Sequence, residues 1–474
     1  MNRIGIRFER PSNGPCMFRL YQTPRRDGRE PMEVQSFSLT GAQIGEKPKE
    51  AGEALLTELR NNNDVSDAFD FALAQEDLVP VYLEMAKGAE IADAYPWEFL
   101  FSDHKRFLAL SGFWPVARSF YSATYSNVTS RELTISSNLP QVRVLAVFGA
   151  GDDWVWEWKA FHDLRAKAAE MGCDFQLRIL VGHANAADQI NREAGSRIAS
   201  PFRNVDELWE LLRGEVFVPN ILHFLCHGTS RTDPAMHCAT ILDHETGLEE
   251  RFDVIAPSEL LSHIPQTDFL WMIVLNCCEL GDGKTPSQQS FARKLLGNEA
   301  PVVIAHRAPI EVTDAEYVTR GLYQAIFKKA LKVLHEDDSE VDWADVLDIA
   351  RERLIAKHKK SLGQSYTAPE AAEKTVQWSL PAVYVTSPPF IMHARQEPPD
   401  PTSNAHDVTF SALRRELLDV SHLPHNYRRE INRRDLGISS TAEDSVSQGI
   451  QDIEILPTVK QDDEEAEGFA TNES

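Results

Sequence analysis

The sequence has no long hydrophobic run. Its longest uninterrupted apolar stretch, Phe269 to Leu275, lies between Asp268 and Asn276, far short of the ~20 residues a membrane-spanning helix needs. An apolar leader is also missing. Arg3, Arg7, Glu9 and Arg10 break up the first ten residues, so no export signal is expected. Cysteine is scarce: six in 474 residues do not make a disulfide scaffold, and without a leader they read as reduced thiols. Positive charge is in deficit, with 48 bases against 72 acids and a net charge of −24. A general nucleic-acid binder needs a basic surface to displace counterions from phosphates, so direct nucleic-acid binding is not expected. No repeat is visible at solenoid periods. These absences exclude secreted, membrane and fibrous classes and predict a cytoplasmic globular protein.

What is present is an ordinary globular composition, 42% hydrophobic and 25% charged, in a chain long enough for several domains. Residues 391–474 stand apart. A Pro-rich stretch from Gln396 leads to three Arg-Arg pairs, Arg414-Arg415, Arg428-Arg429 and Arg433-Arg434. Beyond Thr441 ten acids face the single base Lys460. Such a segment buries too little apolar area to offset its ordering entropy, which predicts a charged, mostly disordered tail. The default reading of the Arg-Arg pairs is solvated charge.

Upstream, short apolar runs alternate with helical patterns. Strands are expected at Val79–Glu84, Val142–Phe148, Phe175–Val181, Ile221–Cys226, Phe269–Leu275, Val302–Ala305 and Ala382–Thr386. Helices are expected at Trp156–Met171, Val205–Leu212, Glu316–Leu334 and Trp343–Ala356. Buried strands alternating with helices predict an α/β fold with a mostly parallel sheet.

Two segments place polar chemistry at the ends of such strands: Ile221-Leu222-His223-Phe224-Leu225-Cys226-His227-Gly228 and Val274-Leu275-Asn276-Cys277-Cys278-Glu279-Leu280-Gly281. In open α/β sheets, catalytic groups gather at the carboxyl ends of strands. A thiol needs a base to become a good nucleophile, and an imidazole serves both as that base and as the acid for a leaving amine. Here the histidine precedes the cysteine by about 50 residues, the order seen in caspase-like proteases. Gly228 lets its N–H approach a substrate carbonyl, and with the Cys278 N–H it forms a candidate oxyanion hole. The His and Cys residues at 223, 226, 227, 237, 238, 277 and 278 lack zinc-site spacing, so no metal is expected. Gly149-Ala150-Gly151 lacks a third glycine and a Walker lysine, so no nucleotide or other cofactor is expected.

At these residues the sequence resembles the CHAT domains, caspase-like peptidases related to separase. Tyr95-Pro96-Trp97-Glu98-Phe99-Leu100 is similar to the family's Pro-Trp-Glu segment, and the two strand ends are similar to its histidine and cysteine boxes. Ser290–Leu296, Pro301–Ala305, Ala350-Arg351 and Trp378–Tyr384 are similar to downstream family segments. The resemblance implies a caspase–hemoglobinase-like three-layer α/β/α sandwich. Residues 1–135 would be its N-terminal part, a degenerate caspase-like half, and residues 136–390 the catalytic core. It implies a cysteine endopeptidase with a His227–Cys278 dyad, with His223 in support and Cys277 packed in the core. It also implies a protein substrate encoded nearby, an activating sensor or partner protein, and a part in bacterial antiviral defence or cell death. A non-catalytic scaffold retaining the fold is the alternative. Leu280 departs from the family's small residue at its position.

In several caspase-fold families the residue two before the nucleophile lines the first specificity pocket, and those preferring a basic side chain carry aspartate there. Asn276 at this position is neutral and predicts no strict Lys or Arg requirement. Asp314 is the acid expected to enter the pocket if one does.

Overall fold

The computed structural model describes residues 3–11, 14–23, 33–39, 47–74, 78–104, 106–112, 114–120, 130–214, 217–229, 234–244, 247–264, 269–281, 290–297, 300–336, 339–363, 365–386 and 390–396. All belong to one compact unit, Met1–Glu397. Of the tail expected from residue 391 onward, Ile391–Gln396 form a strand paired with residues 130–135 and so belong to the folded part; residues 397–474 lie outside the described residues.

The N-terminal part contains β1 (Ile4–Glu9), β2 (Met17–Gln22), β3 (Gln35–Ser36), α1 (Pro48–Arg60), α2 (Asn63–Leu73), β4 (Val81–Met85), β5 (Phe101–Ser102), β6 (Arg106–Phe107) and β7 (Val116–Phe120). Then follow β8 (Ser130–Ser136), β9 (Leu139–Gly149), α3 (Trp154–Met171), β10 (Asp174–Val181), α4 (Ala184–Ala194), β11 (Ala199–Pro201), α5 (Val205–Gly214) and β12 (Ile221–Thr229). Next come the hairpin β13 (Ala235–His244) and β14 (Gly247–Ile255), α6 (Pro257–His263), β15 (Met272–Asn276), α7 (Phe291–Leu295) and β16 (Val302–His306). The chain closes with α8 (Val312–His335), β17 (Ser339–Glu340), α9 (Asp348–Leu362), α10 (Ala368–Lys374), β18 (Pro381–Thr386) and β19 (Ile391–Gln396).

This is a mixed α/β fold on a mostly parallel central sheet. Its strands run β3-β2-β1-β4-β7-β18-β16-β15-β12-β9-β10-β11. Only β2, β3 and the β16–β18 pair introduce antiparallel contacts. The central strands are buried on both faces, as their unbroken Val/Ile/Leu runs dictate. The chain steps outward from β9 to β10 to β11, then returns to β12 and proceeds to β15 and β16. With right-handed crossovers, that reversal sends α3 and α4 to one face and α5, α6 and α7 to the other. The contacts α3–α4, α5–α6 and α6–α7 agree with it, and α8 packs on α3.

The sheet passes without a break across residue 135, because β18, from the far end of the sequence, is inserted between β7 and β16. Family-like residues distant in sequence meet at this junction. Glu98 is fully buried and paired with Arg118 of β7 through both oxygens. Arg118 also lies 3.1 Å from Asp93 and 5.8 Å from the Tyr384 ring of β18. Arg307 reaches Glu98 at 3.6 Å, and buried Arg351 donates to the Pro381 carbonyl at 3.3 Å. A charge inside a protein needs such a partner, which accounts for the Glu98–Arg118 pair.

Candidate active site

The reversal point between β9 and β12 is where an open α/β sheet presents a crevice at its carboxyl edge. Three chain segments emerge there: Gly149–Asp153 after β9, His227-Gly228 near the end of β12, and Asn276–Gly281 after β15. Parallel pairing of β12 with β15 ends at Leu225 opposite Asn276. Two further residues along the chain lead to His227, still within β12, and to Cys278, in the turn just past β15.

The structure brings Gly228 and Cys278 together. A Cβ added at Gly228 would stand 2.0 Å from the Cys278 carbonyl oxygen and 2.9 Å from Leu280 Cγ. Only glycine permits that approach. Leu280, the departure from the family's small residue, is fully buried beneath Gly228. Glu279 follows Cys278 with φ of 60°, a left-handed conformation that a non-glycine residue adopts at a cost. Cys278 is half-buried, while the other five cysteines are buried.

His227 is exposed. It does not terminate its strand, because β12 runs on to Thr229 by pairing antiparallel with β13, His227 opposite His237. The Phe252 ring of β14 lies 6.0 Å from the His227 ring and is itself 48% exposed. Asp153 is near enough for His227 to favour its ionised form, although burial leaves its carboxyl above the usual range. Neither Phe252 nor Asp153 stands out in the sequence. Both are found only through the register that brings β9, β12 and the hairpin together.

Under this surface lies a buried polar network. Glu157 of α3 accepts from Asn276 Nδ2 at 2.8 Å and from Thr319 Oγ1 at 2.6 Å. His223 Nε2 is 2.9 Å from Glu157 Oε1, and His223 Nδ1 is 3.2 Å from the Tyr323 hydroxyl. The Asn276 oxygen lies 2.9 Å from His306 Nε2, and its nitrogen is also 3.4 Å from Thr319 Oγ1. His223 lies buried between Glu157 and Tyr323.

Asn276 is 5% exposed and its amide is taken up on both sides. The expectation that it lines a pocket meets a different environment, because its strand face looks onto α3 and α8, where Glu157 needs donors. Asp314, the other expected substrate contact, is fully buried on α8. Its two oxygens hold Lys357 at 2.5 Å and His358 at 2.9 Å on α9, so it serves helix packing.

Cys277 faces away from this network and is 1% exposed, its thiol 3.6 Å from the Phe224 carbonyl. Cys226 neighbours it, and Cys238 neighbours Cys226. Burial pushes the Cys226 thiol well up, and the contact with Cys226, then burial, does the same for Cys238. Gly149 is spent on this packing, since a Cβ there would stand 2.3 Å from Cys238 Sγ. Among the described residues no group of three His, Cys, Asp or Glu is arranged to hold a metal, and no helix is long and apolar enough to cross a membrane.

An α/β protein with an exposed imidazole on one strand and a half-buried thiol just past the end of the neighbouring strand, at a sheet reversal, is thereby defined. The CHAT domain model matches residues 89–339, more than half of the chain, and the chain belongs to that family. Among solved structures it is similar to the Arg-specific cysteine proteinase gingipain R, at 10% identity and a TM-score of 0.39, over 73% of this chain and 69% of that one. It is similar to the complex of the Porphyromonas gingivalis RgpB pro- and mature domains at 10% identity and 0.36, over 67% of each chain. It is also similar to the Saccharomyces cerevisiae separase–securin complex at 10% identity and 0.34, over 72% of this chain and 18% of that one. No curated protein matches the sequence.

Proposed function

We propose that this CHAT protein is a cysteine endopeptidase whose dyad is His227 and Cys278. The observation that carries the reading is the junction of β12 and β15. There the one cysteine that is not buried follows a strand in register with the strand bearing an exposed histidine. In this reading His227 takes the Cys278 proton and the thiolate adds to the scissile carbonyl carbon. The backbone N–H groups of Gly228 and Cys278 stabilise the oxyanion. His227 then protonates the leaving amine, and water, deprotonated by His227, hydrolyses the thioester.

The substrate we propose is an extended segment of one partner protein, encoded nearby and cleaved after a sensor or second protein engages the enzyme, in a defence or cell-death response. A library of peptides carrying a thiol-reactive group at the scissile position tests the reading. Covalent capture confined to Cys278, abolished by His227→Ala, supports it. Equal capture by the His227→Ala protein contradicts it and favours a scaffold.

A further inference from the structure

His306 closes β16 and touches the Cys278 turn at two points. Before the cysteines, its Nε2 lies 2.9 Å from Asn276 Oδ1. After them, its carbonyl accepts from the Gly281 N–H at 2.8 Å. The residue is 2% exposed. An amide oxygen only accepts, so the ring nitrogen facing it carries the proton. The ring is neutral, because burial, with His223 adding, pulls its pKa down to about 3. With its oxygen committed to His306, Asn276 presents its nitrogen to Glu157 and Thr319. Gly281 is held on its other side by the Tyr384 hydroxyl, which donates to its carbonyl at 2.5 Å. Between these anchors lies the left-handed Glu279, a backbone conformation that persists only when its surroundings over-determine it.

We propose that His306 is a positioning residue for Cys278. It staples the two ends of the Asn276–Gly281 turn and so keeps the thiol at the end of β15, against the end of β12. The proposal rests on the reading of Cys278 as the nucleophile and of His227 as its base. It assigns His306 no proton to give or take.

The test is the rate at which iodoacetamide alkylates Cys278 at pH 7 in the full-length protein, read by mass spectrometry of the peptide that contains it. His306→Leu fills comparable space without a donor, whereas His306→Gln can return an amide N–H to Asn276. The expected result is a loss of about tenfold or more for His306→Leu and recovery to within about threefold of wild type for His306→Gln. The loss should vanish near pH 10, where a thiol ionises without a base. Asn276→Ala cuts the same link from the other side. It should be as slow as His306→Leu, and the double variant no slower than either. Wild-type rates in His306→Leu, no recovery in a folded His306→Gln, or losses that multiply in the double variant would each overturn the staple. Alkylation needs no substrate, so failure here is separable from failure of the peptidase reading, which peptide turnover tests.

Discussion

Gly228 and Cys278 are in direct backbone contact across the ends of β12 and β15, the Gly228 Cα facing the Cys278 carbonyl oxygen so closely that a Cβ would lie 2.0 Å from it. The obstructing atom is backbone, so a side chain cannot be accommodated by a rotamer change.

Gly228→Ala should therefore displace one strand end relative to the other. The expected cost is about 1–3 kcal/mol of stability, as for other overpacked sites. Peptide turnover should fall much further than the folded fraction does. Urea unfolding and turnover of the same preparations check this. Retention of full activity would mean that the two strand ends are not coupled.

Glu98 supplies a stability prediction with a defined sign. Burial alone would raise its carboxyl pKa, but Arg118 and Arg307 more than offset that and hold it below the ordinary value. A folded pKa below the unfolded one means stability that is present above the unfolded pKa and lost as pH falls through the folded one. Glu98→Gln leaves Arg118 buried without its main counter-charge, at a cost of about 3–5 kcal/mol at pH 7. The difference from wild type should shrink at pH 3, where the carboxyl of the unfolded chain has taken up its proton. An equal difference at both pH values would contradict the pairing.

His306 gives a second linkage of the same sign. Its folded pKa of about 3 lies below the ~6.5 of a free imidazole, so the unfolded chain takes up the proton first. Stability from this group is complete above pH 6.5 and declines as pH falls toward 3, by up to about 1.4 kcal/mol per pH unit. His306→Gln cannot titrate. Its melting temperature relative to wild type should therefore rise between pH 7.5 and pH 4.5. A constant difference would show that His306 is not held neutral.

The strands that build the site were legible because burial on both faces leaves an apolar run that little else produces. The runs ending at Leu275 and Ala305 prove to be β15 and β16, each reaching one residue further. The hairpin β13–β14 was not legible. Its strands carry His237, Cys238, Thr240, Glu250, Arg251 and Asp253, and their order comes from pairing with β12 and with each other. For the same reason His227 was expected just past a strand end and lies inside a ladder. The polar network was hidden by sequence distance. Glu157, Asn276, His306 and Thr319 are unremarkable one at a time and meaningful only when α3, α8, β15 and β16 are brought together. Asn276 shows the limit most directly, since its position after an apolar strand is compatible both with a pocket wall and with an internal strut, and only the carboxylate across from it decides.

The most direct test of the central claim is turnover of a peptide library by wild type, Cys278→Ala and Cys277→Ala. Cys278 is half-exposed beside the end of β12, and Cys277 is 1% exposed on the opposite strand face. The predicted result is no turnover by Cys278→Ala, in a protein that unfolds like wild type, and most of the wild-type rate in Cys277→Ala. Turnover that survives in Cys278→Ala, or is lost only in Cys277→Ala, would contradict the account.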